Sequence, residues 1–150
     1  MSNKYFWIFI VSVLVVGGGI FYRAKLLDPE KAPVTTGAVR EITIRAEKDR
    51  WLFTPEIIDV DRGDKIIMTV INEDDYDHGI AIDAFGISQR MPANSTIKID
   101  FVVTQAGDFP FYCSVPCGEG DVVIGGKTTH RTHFDMIGKL HVRSIISATQ

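Results

Sequence analysis

The chain has 150 residues, of which 45% are apolar and 23% charged, and its formal charge is -3 at neutral pH. This length fits one globular domain, and the slightly acidic balance argues against nucleic acid as a partner. The first 25 residues differ from the rest. Residues 5–22 (YFWIFIVSVLVVGGGIFY) carry no charge. As a helix they would be roughly 27 Å long at about 1.5 Å per residue, close to the thickness of a bilayer core.

This N-terminal segment predicts a single-pass membrane anchor over residues 1–25. Aromatic side chains lie at both of its ends, as is typical of membrane interfaces. A cleaved signal peptide is the alternative, but no small-x-small cleavage site precedes Arg23. Basic residues flank the segment on both sides, so charge does not orient it. Residues 26–37 contain two prolines and predict a linker, which leaves residues 38–150 as the folded domain.

The domain has the pattern of an all-β fold. Short runs of alternating or continuous apolar residues are separated by turn residues, and no helical period follows the anchor. We expect seven or eight strands in an antiparallel β-sandwich. The principal runs are residues 40–46, 51–60 (broken by Pro55), 65–71, 79–84, 95–103, 109–113 and 137–143.

Soft metal ligands cluster late in the chain. Cys113 and Cys117 are the only cysteines, His133 and Met136 follow them, and His78 precedes an apolar run. Thiolate, imidazole and thioether groups favour copper over magnesium or calcium. A Cys113–Cys117 disulfide and a zinc site of two cysteines and two histidines are alternatives. The thioether favours copper, because copper electron-transfer sites use a weak axial methionine.

Residues 107–120 (GDFPFYCSVPCGEG) and 133–142 (HFDMIGKLHV) resemble the copper loop of cytochrome c oxidase subunit II, whose pattern is C-x-x-x-C-G-x-x-H-x-x-M. Residues 51–60 and 77–80 resemble earlier strands of that family, so the likeness extends over about residues 39–143. It implies a cupredoxin-like Greek-key β-sandwich after one transmembrane helix, as in the short members of the family.

The resemblance also implies a dinuclear copper (CuA) centre. Cys113 and Cys117 would bridge two coppers, and His78 and His133 would bind one copper each. Met136 would be a weak axial ligand of one metal, and the backbone carbonyl of Val115 a weak ligand of the other.

The implied role is that of a non-catalytic, electron-entry subunit of a terminal oxidase in a respiratory chain. It would accept electrons from a cytochrome c or a small copper protein and pass them to a haem-bearing catalytic subunit. The copper domain would then lie on the extracytoplasmic face of the membrane. The alternative is a membrane-anchored cupredoxin electron carrier, or a copper-binding protein, without an oxidase partner.

The copper loop departs from the family pattern at one place. Asp121 occupies the position of the histidine, and His133 lies twelve residues further on. Residues 121–132 therefore read as an insertion, and the pair Gly125-Gly126 predicts a hairpin that leaves the site and returns to it. His130 is a competing ligand, but His133-x-x-Met136 keeps the family spacing.

An acidic group lies just before His78, at Glu73, Asp74, Asp75 and Asp77. It is either a solvated turn or a docking patch for a basic electron donor.

Overall fold

A computed structural model describes residues 3–25 and 37–144. The predicted linker, apart from residue 37, lies outside the described residues, as do residues 145–150 of the predicted domain. The chain divides into two compact units, residues 1–33 and 34–150.

The N-terminal unit contains one helix, α1 (Lys4–Lys25). Within it, Lys4–Tyr22 is long and apolar enough to cross a membrane, and none of that stretch is buried against the protein. The large side chains of Phe9, Leu14 and Ile20 are all exposed. A secretory signal sequence has the same properties, so the helix is consistent with either expectation.

The second unit is a β-sandwich, as expected from the sequence. Eleven strands are present in residues 37–144, more than the seven or eight predicted. They are β1 (Val39–Ala46), β2 (Phe53–Thr54), β3 (Ile57–Asp61), β4 (Lys65–Asn72), β5 (His78–Ile82), β6 (Ile87–Met91), β7 (Thr96–Val102), β8 (Gly107–Tyr112), β9 (Glu119–Ile124), β10 (Lys127–Thr132) and β11 (Ile137–Arg143). Short 3-10 helices cover Asp83–Phe85 and His133–Asp135.

The strands form two sheets and a separate hairpin. One sheet has the order β2-β1-β4-β7, and the other has the order β3-β11-β8-β5-β6. The expectation of a purely antiparallel sandwich is wrong, because β1 pairs with β4 and β3 with β11 in parallel. The break predicted at Pro55 is confirmed: it separates β2 in the first sheet from β3 in the second.

The core lies between the two sheets, and most strands direct the side chains of one face into it. In β4 every second residue is buried, including Ile66, Met68 and Val70. Strand β5 is buried along its whole length, as its continuous apolar sequence predicts. Phe53 and Phe111, one from each sheet, contact each other with ring centroids 5.6 Å apart. This packing fixes the ends of β5 and β8, where the predicted ligands lie.

Residues 119–132 form the predicted hairpin. Strands β9 and β10 pair from Ile124 and Lys127 at the tip to Glu119 and Thr132 at the base. Gly125 and Gly126 both have positive φ, of 58° and 80°. Tight hairpin turns require this conformation at two successive residues, and glycine adopts it without strain. The hairpin therefore returns the chain to the place from which it left.

Candidate metal centre

Four of the predicted ligands lie in a row at one end of the second sheet. The two cysteine sulfurs are 3.4 Å apart, and both cysteines are free and buried. Nδ1 of His78 lies 3.7 Å from the sulfur of Cys113. Nδ1 of His133 lies 3.5 Å from the sulfur of Cys117. Each sulfur thus has its own imidazole, and the two sulfurs face each other.

The other two predicted ligands lie at the same place. The carbonyl oxygen of Val115 is 3.3 Å from the sulfur of Cys113. Met136 is fully buried in the hydrophobic core of the domain. The backbone amide of Cys113 donates to the carbonyl of Met136 at 3.0 Å, which ties the start of β11 to the end of β8. The structure therefore brings all six predicted residues to one region.

The loop between the cysteines is held by groups from distant strands. The indole Nε1 of Trp51 donates to the carbonyl of Cys117 at 3.0 Å. The backbone amide of Gly79 donates to the sulfur of Cys113 at 3.4 Å. A Cβ at Gly79 would lie 3.1 Å from the backbone nitrogen of Ser114 and 3.2 Å from that of Val115. Glycine is therefore needed here because the copper loop crosses directly over β5.

The base of the hairpin positions His133. The amide of His133 donates to the carbonyl of Gly118 at 2.9 Å, directly beside the second cysteine. A capping box closes the start of the following 3-10 turn. The hydroxyl of Thr132 accepts from the amide of Phe134, and the carboxylate of Asp135 accepts from the amide of Thr132. The pairing of β9 with β10 thus returns the chain to Gly118 and places His133 beside Cys117.

His78 is fully buried and contacts a second buried residue, Asp74. Nε2 of His78 lies 2.6 Å from the carboxylate of Asp74. Burial opposes the charged imidazolium, but hydrogen bonds with Cys113 and Asp74 outweigh it and raise the pKa of His78.

The two thiols differ in acidity. The hydrogen bond between the sulfurs, helped by His78 and opposed by burial, lowers the pKa of Cys113 far below that of a free thiol. The same bond and burial raise the pKa of Cys117. One thiolate is thus stabilised beside a thiol that keeps its proton, and a metal would have to displace that proton to use both sulfurs.

The donor set fits copper. The sulfurs of Cys113 and Cys117 and an imidazole nitrogen of His78 lie within 4.8 Å of one another, and all three residues are buried. Thiolate and imidazole are ligands that suit copper, and a thioether and a carbonyl nearby could act as weaker donors. A buried site also keeps water from the sulfurs.

His130 lies away from this cluster. It is 56% exposed and contacts Asp121 across the hairpin, with 2.9 Å between Nδ1 and the carboxylate. This position agrees with the prediction that His133, rather than His130, is the ligand.

The acidic residues before His78 do not form a free docking patch. Asp74 is buried, contrary to the expectation that it lies in a solvated turn or on a docking surface. The other three acidic residues each contact a basic side chain: Glu73 contacts Arg45, Asp75 contacts Lys48 and Asp77 contacts Arg90. Their negative charge is thus locally compensated, which weakens the docking hypothesis.

Three contributors to the site were missed in the sequence: Asp74 behind His78, the indole of Trp51 on the Cys117 carbonyl, and Gly79 beneath the loop. The pair His78-Gly79 at the head of a buried strand was the one available signal, since a glycine within a strand often marks a close approach of another backbone.

Comparison with known proteins identifies the fold family. The model of the family described as cupredoxin-like domain matches residues 20–124, more than half of the chain, and ends before His133. A nitrous-oxide reductase from Stutzerimonas stutzeri is 29% identical over 86 residues. That match covers 55% of this chain but only 12% of the reductase.

Solved structures with the same fold include an auracyanin from Roseiflexus castenholzii, with a TM-score of 0.54 and 16% identity over 71% of this chain and 99% of the auracyanin. A laccase from Botrytis aclada gives a TM-score of 0.57 and 17% identity over 77% of this chain and 24% of the laccase. Identities this low establish the fold alone. With the family match, they show that the chain belongs to the cupredoxin-like domains, a family of copper-binding, electron-transfer type.

Proposed function

We propose that this chain is a membrane-anchored, electron-entry subunit of a terminal oxidase that carries a dinuclear copper centre. One observation carries the proposal: two cysteine sulfurs lie 3.4 Å apart, and each has a separate histidine Nδ1 within 3.7 Å. A mononuclear copper electron-transfer site uses one thiolate, whereas two facing sulfurs with an imidazole beside each suit two coppers.

The residues of the site have distinct roles in this proposal. Cys113 and Cys117 would hold two coppers together with His78 and His133, and Met136 and the Val115 carbonyl would be weaker donors. Copper bound there would supply one-electron redox chemistry. The β-sandwich holds the predicted ligands on three separate segments, which limits their movement when charge changes. His133 is partly exposed while His78 is fully buried, so His133 is the side from which an electron would enter.

The partners follow from this role: a cytochrome c or small copper protein as donor, and a haem-bearing catalytic subunit as acceptor. The similarity to a nitrous-oxide reductase supports a module that serves a larger electron-consuming enzyme. With α1 as an anchor, the copper domain would lie on the extracytoplasmic face, within reach of such donors.

The test is metal analysis and spectroscopy of the full chain in detergent after reconstitution with copper. We expect two coppers per chain and an electron paramagnetic resonance spectrum of one electron shared by two copper nuclei. Cys117→Ser should abolish the shared signal, because a single thiolate does not bridge as two do. One copper per chain, bound zinc, or an unchanged spectrum in the variant would refute the dinuclear centre. Purification from native membranes without a haem subunit would instead favour the carrier without an oxidase partner.

A further inference from the structure

Asp74 is a buried carboxylate that lies behind His78, on the side away from the cysteines. One of its oxygens lies 2.6 Å from Nε2 of His78, and the other accepts from the backbone amide of Asp49 at 2.6 Å. The opposite nitrogen of the imidazole, Nδ1, faces the sulfur of Cys113. We propose that Asp74 is a positioning residue that keeps the proton of His78 on Nε2 and so leaves Nδ1 for the metal. This inference rests on the proposed copper function.

The backbone around Asp74 prevents the carboxylate from turning away. Its amide donates to Oδ1 of Asn72 at 3.0 Å, and its carbonyl accepts from the amide of Asn94 at 2.9 Å. The side-chain amide of Asn72 in turn donates to the carbonyls of Tyr76, Met91 and Pro92. The loop between β4 and β5 is therefore fixed at several points, and the carboxylate is directed at His78.

Charge and burial make this contact selective. An ionised carboxylate only accepts hydrogen bonds, so the imidazole nitrogen that faces it must carry a proton. Both groups are fully buried, and water cannot take the place of either partner. Carboxylates that contact the second ring nitrogen of a metal-binding histidine orient the ring and raise its basicity. Loss of such a carboxylate typically lowers metal affinity about 10- to 100-fold.

Asparagine at position 74 would disturb the site without changing its size. Asp74 accepts from two donors, but an amide offers one acceptor oxygen and one NH2 group. If the NH2 group faces His78, the ring must accept on Nε2 and carry its proton on Nδ1, which blocks the metal side. If the oxygen faces His78, the amide of Asp49 loses its acceptor and the neutral contact holds the ring less firmly.

The experiment compares Asp74→Asn with Asp75→Asn in the full chain in detergent. Asp75 is the matched control, because it is 68% exposed and contacts Lys48 and Asn94 rather than a predicted ligand. Competition with a chromophoric copper(I) chelator should show about a 10- to 100-fold weaker affinity for Asp74→Asn and wild-type affinity for Asp75→Asn. Equal affinity in both variants would overturn the inference.

A second measurement needs neither copper nor a folded variant. Nitrogen-15 spectra of the histidine-labelled, metal-free wild-type chain, at a pH where the ring is neutral, should show His78 protonated on Nε2. Protonation on Nδ1 would overturn the role of Asp74. A wild-type chain that binds no copper would count against the proposed function instead, and the position of the proton on His78 would still decide the inference.

Discussion

At the scale of single residues, His133 and His130 occupy different environments although they are three positions apart. His133 lies against the sulfur of Cys117, and its amide is bonded to the carbonyl of Gly118. His130 contacts the carboxylate of Asp121 on the outer part of the hairpin. Only the first has a nitrogen directed at the proposed metal centre.

We therefore predict that His133→Ala removes or grossly alters the copper absorption spectrum, because it deletes the only imidazole in contact with Cys117 among residues 37–144. His130→Ala is the matched control and should leave the spectrum nearly unchanged. Copper titration followed by visible absorption measures both. The reverse pattern would show that the hairpin supplies His130 as the ligand.

The sequence was sufficient to predict which soft donors lie together in the structure, but not the residues that support them. Cys113, Cys117 and His133 are recognisable because the soft donors are few and close to a known spacing. Asp74 is not, because four carboxylates precede His78 and the sequence does not say which one turns inward. That choice is made by the amide of Asp49, 25 residues away in the turn after β1. Such a contact depends on strand pairing, which local sequence does not encode.

At the scale of elements, the β9–β10 hairpin explains how the predicted ligands Cys117 and His133 lie together although they are 16 residues apart. At the base of the hairpin, Glu119 pairs with Thr132. These two residues lie close in the chain to the predicted ligands Cys117 and His133. Val122 is buried in the core, whereas Val123 is exposed. The inner part of the hairpin thus packs on the domain, and its tip does not carry the site.

Shortening the tip should consequently spare the metal centre. We predict that replacing residues 123–128 with Asn-Gly, between the paired residues Val122 and Thr129, leaves the copper spectrum and stoichiometry unchanged. Stability should fall modestly, since Ile124 packs partly against the core. Visible absorption and thermal unfolding of the copper-loaded chain test this. Loss of copper from the shortened chain would mean that the outer hairpin itself builds the site.

A second element-scale feature is the junction where β1, β3 and β4 meet around Asp64. Its buried carboxylate accepts from the amides of Ala38 and Asp61 and from Nε of Arg40, at 3.0 to 3.1 Å. Burial opposes the charge, but the bonds from the Asp61 amide and from Arg40 outweigh it and lower the pKa of Asp64. A lowered folded-state pKa stabilises the fold above the unfolded-state value of about 4, and this contribution is lost as the pH falls through the folded-state pKa.

Asp64→Asn should therefore lower the free energy of unfolding by about 1–3 kcal/mol at pH 7. The difference from wild type should begin to shrink below about pH 4, where the unfolded-state carboxyl takes up a proton, and should shrink further as the pH falls through the lower folded-state pKa. Asp100→Asn is the control: its exposed carboxylate has a 3.9 Å contact with Lys65, and a change within about 0.5 kcal/mol is expected. Urea unfolding at several pH values measures both. If the free energy of unfolding of Asp64→Asn stayed lower than that of wild type by the same amount at pH 2–3, the stabilisation would not come from the charge of Asp64.

The strand pattern shows what local sequence determines in this fold. Alternation in residues 40–46, 95–103 and 137–143 located β1, β7 and β11 to within a few residues, because burial on one face repeats every second residue. The parallel pairing of β1 with β4 was not predicted. Alternation of apolar and polar residues indicates which side chains face the core, but not which strand lies alongside. It also does not distinguish a strand that pairs in parallel from one that pairs antiparallel.

At the scale of the whole molecule, the question is whether α1 remains attached to the copper domain. Its 22 residues would extend about 33 Å at about 1.5 Å per residue, enough to cross the hydrocarbon core of a bilayer. The side chains of Val11 and Leu14 are exposed on the helix in the absence of lipid. An uncleaved anchor would keep an electron-entry domain at the membrane surface, next to an integral partner.

We predict that the chain isolated from membranes has the full mass of 16.7 kDa and is extracted by detergent but not by alkaline carbonate. Val11→Arg with Leu14→Arg should release it or prevent its insertion, because each arginine near the centre of a spanning helix costs about 2.5–3.5 kcal/mol. Val11→Leu with Leu14→Val is the control and should behave as wild type, since the span stays apolar. Mass spectrometry of both fractions separates the alternatives. A soluble product that lacks roughly the first 25 residues would identify α1 as a cleaved signal sequence, and the copper domain would then have to reach its partner by diffusion rather than from a fixed position beside it.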